Sequence, residues 1–206
     1  MPDEQPKVRA VRARDAASLL VLRHTRNEPE MLMGMRGSRH RFMPNRLVFP
    51  GGAVDKADMK APFKTPMSEH TARLLRKDAS PALAHGIASA AARELQEETG
   101  LTLGEPAALD GLEFLARAVT PPENPIRFNA RFLVVAADRV SGTIGGDGEL
   151  DNLRYYGLAE AMAMDLALPT RRVLERLIEW MKLSEDERRA QTLTAVLRRD
   201  QGWVME

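Results

Sequence analysis

RELQEETGL, residues 93 to 101, sets three carboxylates, Glu94, Glu97 and Glu98, within little more than one helical turn of each other. At about 100° per residue these side chains share an arc of roughly 100°, and like charges at such spacings cost about 0.2–0.5 kcal/mol per pair. Run backwards, the same angle puts Ile87, Ala90 and Ala91 on that stripe, and Leu101 returns to it. The acids therefore continue an apolar face, where carboxylates are costly unless paired or bound to metal. Arg93, at i,i+4 to Glu97, is the only cation built into the stretch, and one Arg does not neutralise three Glu. The phase is counted from Ile87 onward, because Gly86 is a place where the helix could break.

The flanks give the stretch its element. Ser80-Pro81 pairs a capping Ser with Pro at the first helical position, and Gly100 stands where a C-cap glycine belongs, so RELQEET forms the last turns of a helix. Upstream, ASLLVLRH (17–24) and MLMGMR (31–36) read as strands joined by a turn, and RLVF (46–49) as a third strand that stops at Pro50-Gly51-Gly52. Residues 55 to 80 are polar and rich in Lys, Pro and Met, with a short helix expected from Ser68 to Arg76. Downstream, residues 111–120 and 127–138 read as strands and GTIGGDGELDN (142–152) as a flexible glycine-rich loop. RYYGL is a short strand, and residues 169–183 a helix burying Leu174, Leu177, Ile178 and Met181. Ser184 caps a last charged helix, so helices are expected over about 169–200. Strands, one helix, strands, then helices describe an α/β fold, a mixed sheet covered on its faces.

Composition excludes several function classes. The chain has 206 residues, enough for a single domain over 1–206, and a net charge of +1 from 30 basic and 29 acidic residues, which gives no footprint for non-specific nucleic-acid binding. It has no cysteine, which removes disulfides and thiolate chemistry, and its four histidines show no HExxH spacing. No apolar run approaches the roughly 18–20 residues of a membrane span, so a soluble, cytoplasmic protein with no membrane partner is expected. Arg9, Arg12 and Arg14 read as a frayed basic N-terminus, since Asp3, Glu4 and Asp15 argue against a transit peptide.

FPGG (49–52), followed later by AARELQEETGL, resembles the signature of Nudix hydrolases. That box runs Gly, five residues, Glu, seven residues, then Arg-Glu-aliphatic-x-Glu-Glu-x-Gly-aliphatic, and residues 93–101 match the second half at every fixed position. The resemblance implies a Nudix-type α/β/α sandwich, water attack on a diphosphate, and a Mg²⁺ or Mn²⁺ cofactor. It also implies Glu94, Glu97 and Glu98 as metal ligands, with Gly52 approaching the metal through its backbone and Arg93 orienting a carboxylate. Hard cations of this kind accept a few carboxylates and complete their shell with phosphate oxygens.

The first half of the box departs from the pattern. Forty residues separate Gly52 from Arg93 where the pattern has thirteen. Counting back from Arg93 puts His85 in the place of the first Glu, and Asp55, just past the glycines, is the candidate to replace it. The insertion, about 56–80, is expected to govern specificity or form a lid.

An interrupted box is similar to one Nudix branch that includes a mammalian coenzyme A diphosphatase. LMGMRGSRHRFMPNRLVFPGG also keeps Leu32, Arg36, Arg41 and Phe49 to Gly52 in register with the upstream pattern of coenzyme A-cleaving members, departing at Met33, Gly34, Gly37 and Asn45. Arg36, Arg41 and Arg46 are accordingly candidate substrate-phosphate ligands. The positions where ADP-ribose-cleaving members carry Pro and dinucleoside polyphosphate-cleaving ones Tyr fall on Ala116, Arg117 and Ala118. Glu149 is the candidate general base or further metal ligand, with Asp147 and Asp151 as competitors. The expected partner is a small-molecule diphosphate, coenzyme A or its thioesters first. ADP-ribose, a nucleotide sugar and a non-catalytic ligand-sensing module are the alternatives, and a homodimer is left open.

Overall fold

A computed structural model of the chain describes residues 11–37, 45–198 and 202–206. In chain order it contains β1 (Arg14–His24), β2 (Pro29–Arg36), β3 (Leu47–Val48), β4 (Gly51–Ala53), β5 (Phe63–Thr65), α1 (Glu69–Leu75) and α2 (Pro81–Thr99). There follow β6 (Leu101–Thr102), β7 (Ala107–Ala108), β8 (Glu113–Val119), β9 (Phe128–Ala136), β10 (Ser141–Gly142) and β11 (Leu150–Gly157). The chain then forms α3 (Leu158–Ala163), α4 (Leu168–Met181), α5 (Glu185–Ala190), β12 (Ala195–Arg198) and β13 (Trp203–Met205).

The main sheet runs β11-β2-β1-β9-β8-β12-β13, with β3 on β2 and β4 on β1. It is mixed: β1 lies parallel to β9 and β12 to β8, while the other pairs are antiparallel. Alternation along β1 sends Leu19 and Val21 to one face and Leu20 and Leu22 to the other, so each face carries its own core. The first core is closed by α1 and α2 through Leu74, Leu75, Ile87 and Leu95, the second by α3 and α4 through Ala161, Val173, Leu174 and Leu177. The result is an α/β/α sandwich.

The long helix forms where its caps predict. Ser80 Oγ accepts from the Leu83 N–H, Pro81 opens the first turn, and Gly100 closes the helix with φ 71°, a left-handed conformation that L side chains avoid. It does not break at Gly86. Met59 packs there so closely that a Cβ would lie 2.8 Å from its Cγ, so the glycine admits the inserted segment to the helix surface.

Three expectations are corrected. Arg14 belongs to β1 rather than to a frayed terminus. The region expected to be helical over 169–200 is helical only in α4 and α5, and β12 then extends the sheet beside β8, because Val196 and Leu197 need burial that a charged surface helix would not give. Within α4, Val173 and Trp180 are buried with Leu174 and Leu177, while Ile178 and Met181 are half-buried. Among the described residues, no helix is long and apolar enough to cross a membrane.

Candidate active site

The C-terminal turns of α2 meet β4, which carries Gly51 and Gly52, beside the first half of β1. Arg93 organises the junction. Its Nε and Nη2 donate to the two carboxylate oxygens of Asp58 at 3.0 and 3.1 Å, and Nη2 also reaches the Ala53 carbonyl at 3.1 Å. Nη1 donates to Glu94 Oε1 at 2.8 Å and Glu97 Oε2 at 2.9 Å. These partners, Asp58 foremost, raise the guanidinium pKa further, so it stays charged.

Asp58 is the residue that sequence reasoning missed. It is 4% exposed and opens a single 3-10 turn, Asp58–Lys60, packed on α2. Asp55 is exposed and lends only its N–H, which donates to Asp58 Oδ2 at 2.8 Å, and His85 bonds the Ala61 carbonyl through Nε2. Neither fills the place of the first Glu. The signal was present: five residues lie between Gly52 and Asp58, the spacing of the box counted forward from the glycine. Counting back from Arg93 failed because the extra residues fall after Asp58, not before it.

Glu98 is 3% exposed, and its Oε2 accepts from the Gly51 N–H at 2.7 Å. Burial, only partly offset by that bond, pushes its carboxyl up to about 8; Glu94 and Glu149 add to the rise and Arg36 opposes it. Glu94 is also raised, by burial first, against the pull of Arg93 and with the charges of Glu97 and Glu149 adding. Gly52 lies directly against Glu94, whose Oε1 a Cβ at Gly52 would overlap. Glu94 shares Arg93 with Asp58 and Glu97, and the buried Glu98 has no ion pair among the described residues, so one guanidinium serves a cluster whose all-oxygen donor set suits a hard divalent ion. They are not gathered around one point. Among the described residues no three acidic or histidine side chains converge as a cage, because Arg93 draws Glu94 and Glu97 aside and Glu98 faces Gly51.

The glycine-rich loop is held, not free. The Gly145 N–H donates to the Thr99 carbonyl at 2.8 Å and the Asp147 N–H to the Glu97 carbonyl at 3.0 Å, which satisfies carbonyls that the end of α2 leaves open. Gly146, at φ 110°, presses on the Glu98 carbonyl with no room for a Cβ. Asp147 Oδ1 accepts from the Glu149 N–H at 2.9 Å, and the Glu149 carboxylate stands near enough to bear on both Glu94 and Glu98.

Of the three candidate arginines, Arg36 reaches this centre: it bears on Glu98, its Nε is buried without a hydrogen-bond partner among the described residues, and it lines a cavity of about 460 Å³. Arg46 does not. It pairs with Asp165 and donates to that residue's carbonyl at 3.1 Å, on the α3–α4 connection. Arg41 lies outside the described residues. The cavity opens beside Gly51 and Gly52 and runs along the α4 face of the sheet between Phe49, Phe128, Phe132 and Leu168. None of its lining comes from the segment 54–80, so the expected lid is not there. Asp58 joins that segment to Arg93, and its helix packs elsewhere: Leu74 and Leu75 of α1 are 1% and 0% exposed in the core on the other face.

The family model described as NUDIX domain matches residues 84–180. The crystal structure of a NUDIX hydrolase from Alicyclobacillus acidocaldarius is similar with a TM-score of 0.63 at 25% identity, covering 82% of this chain and 92% of that one. The NUDIX domain of Shewanella oneidensis NrtR, in complex with ADP ribose, has a TM-score of 0.55 at 14% identity over 87% of this chain and 94% of its own, a likeness of fold. The putative nudix hydrolase 7 of Caenorhabditis elegans is 49% identical over 47 residues, which is 23% of this chain and 15% of that protein's length.

Proposed function

We propose that this chain, which carries a Nudix domain on the Nudix fold, is a divalent-metal-dependent hydrolase that cleaves the phosphoanhydride of coenzyme A or an acyl-coenzyme A. The neighbours named Nudix hydrolases support a hydrolase acting on phosphoanhydride bonds. The observation that carries the reading is the Glu94 carboxylate set against Gly52 and the buried Glu98 bonded to the Gly51 N–H, beside a cavity of about 460 Å³ that Gly51, Gly52 and Arg36 line.

In this reading Glu94, Glu97, Glu98 and the Gly52 backbone hold Mg²⁺ or Mn²⁺. A bound divalent ion supplies Lewis-acid neutralisation of the diphosphate's charge. Arg93, fixed by Asp58, sets the carboxylate of Glu94 beside Gly52 and that of Glu97 one turn on. Glu149 takes the proton from attacking water, a task for which its place between solvent and Glu98 suits it. Arg36, which lines the cavity and makes no ion pair among the described residues, donates charge-assisted hydrogen bonds to a phosphate oxygen. Coenzyme A is preferred over other diphosphates on the upstream run Leu32, Arg36, Arg41 and FPGG.

ADP-ribose and nucleotide sugars are the alternative substrates, and a non-catalytic ligand-sensing module the alternative class. Hydrolysis of coenzyme A, acetyl-coenzyme A, ADP-ribose and UDP-glucose, assayed with Mg²⁺, with Mn²⁺ and with EDTA, separates them. A higher kcat/KM for ADP-ribose than for either coenzyme A compound would refute the substrate. Binding without metal-dependent turnover of any of them would refute the enzyme.

A further inference from the structure

The charge on the cavity wall has one sign. Among the described residues, Arg36, at the end beside Gly51 and Gly52, and Arg14 are the charged ones that line it, and no acid does. Arg14 opens β1, four residues before Ser18, which pairs with Gly51 in the β1–β4 register. At about 3.3 Å per residue it stands about 13 Å along the strand from the glycine row. Alternation puts Arg14, Ala16 and Ser18 on the cavity side, while Asp15 turns to the other side and is held by the buried Arg131.

Arg14 makes no ion pair among the described residues. Arg127, its neighbour across the β1–β9 junction, is engaged with the carbonyls of Thr120 and Val11. Phe128, Thr120 and Asn124 share the Arg14 end of the cavity, and the rest of the lining is mostly apolar, with Phe49, Phe132 and Leu197 beside the polar Ser18 and Thr170. A diphosphate bound at the Arg36 end has no use for a second cation so far along. A ligand with an apolar or flat body and a second, separate anion would meet both.

We propose that Arg14 recognises a phosphomonoester on the substrate, distinct from the diphosphate that is cleaved, and so makes the enzyme selective for diphosphates bearing such a group. This rests on the hydrolase reading above and deepens it, because coenzyme A carries a phosphomonoester on its ribose while dephospho-coenzyme A, ADP-ribose and nucleotide sugars do not.

The test compares coenzyme A with dephospho-coenzyme A in the wild type, Arg14→Gln and Arg14→Lys. The wild type should favour coenzyme A about tenfold, expressed in KM, the lower range for a hydrogen bond to a charged group at an open site. Arg14→Gln should bring the ratio close to one, and Arg14→Lys should retain part of it. Equal KM values in the wild type, or a ratio that survives Arg14→Gln, would overturn the proposal and leave the hydrolase reading standing. If neither compound is hydrolysed, that reading fails by itself, and calorimetric titration with adenosine 3′,5′-bisphosphate against AMP decides on Arg14. A preference for the bisphosphate that is lost in Arg14→Gln supports it, and equal or absent binding refutes it.

Discussion

Asp58→Ala tests whether Asp58 anchors Arg93. The substitution removes two hydrogen bonds to Arg93, at 3.0 and 3.1 Å, and the acceptor of the Asp55 N–H, from a carboxylate that is 4% exposed. Breaking a fully buried ion pair by deleting one partner costs about 3–5 kcal/mol. Arg93 keeps Glu94, Glu97 and the Ala53 carbonyl and its side chain is 29% exposed, so solvent screens part of the loss and the expected cost is about 2–3 kcal/mol. For a chain of this length that lowers Tm by roughly 4–12 °C. Activity should fall by about ten- to a hundredfold, mostly in kcat, because an unanchored guanidinium lets the Glu94 and Glu97 carboxylates wander from their places. Asp55→Ala removes an exposed side chain and should stay within about 0.5 kcal/mol of wild type. The assay is thermal unfolding by circular dichroism in EDTA, with initial rates on coenzyme A in parallel. A wild-type Tm for Asp58→Ala, or a larger loss for Asp55→Ala, would refute the argument.

Glu98→Gln should abolish turnover and raise Tm in EDTA, because a buried carboxyl without a cation opposes folding; it should also remove the Tm gain on adding Mg²⁺, and an undiminished gain would count against Glu98 as a ligand. Glu149→Gln should lower kcat by about 10²–10⁴ with little change in KM, and Asp147→Asn and Asp151→Asn should be mild; a larger effect at Asp147 would move the base to that residue. Leu75→Ala, at a position with 0% exposure in the inserted segment, should cost about 2–5 kcal/mol in urea unfolding and leave the ranking of substrates unchanged, whereas a changed ranking with wild-type stability would restore the lid.

What RELQEETGL and its flanks determined was local. The ends of α2 were legible because a capping Ser, a first-turn Pro and a left-handed Gly act on backbone groups one turn away, and the acidic stripe was legible because a helix repeats every 3.6 residues. FPGG and the second half of the box were enough for the fold. The partner of Arg93 left a mark in the five-residue spacing from Gly52 to Asp58, but it is packing of the 3-10 turn onto Gly86 that brings Asp58, and not the exposed Asp55, to the guanidinium. The same holds for Arg36 and Arg46, ten residues apart, one placed beside Glu98 and the other drawn off by Asp165. The glycine-rich loop reads as mobile by composition, yet it caps the last carbonyls of α2. The C-terminal strands depend on a free edge at β8. Each of these was decided by which groups the folded chain leaves unsatisfied at a given point in space, and, the Gly52 to Asp58 spacing apart, residue type and spacing carry no record of that.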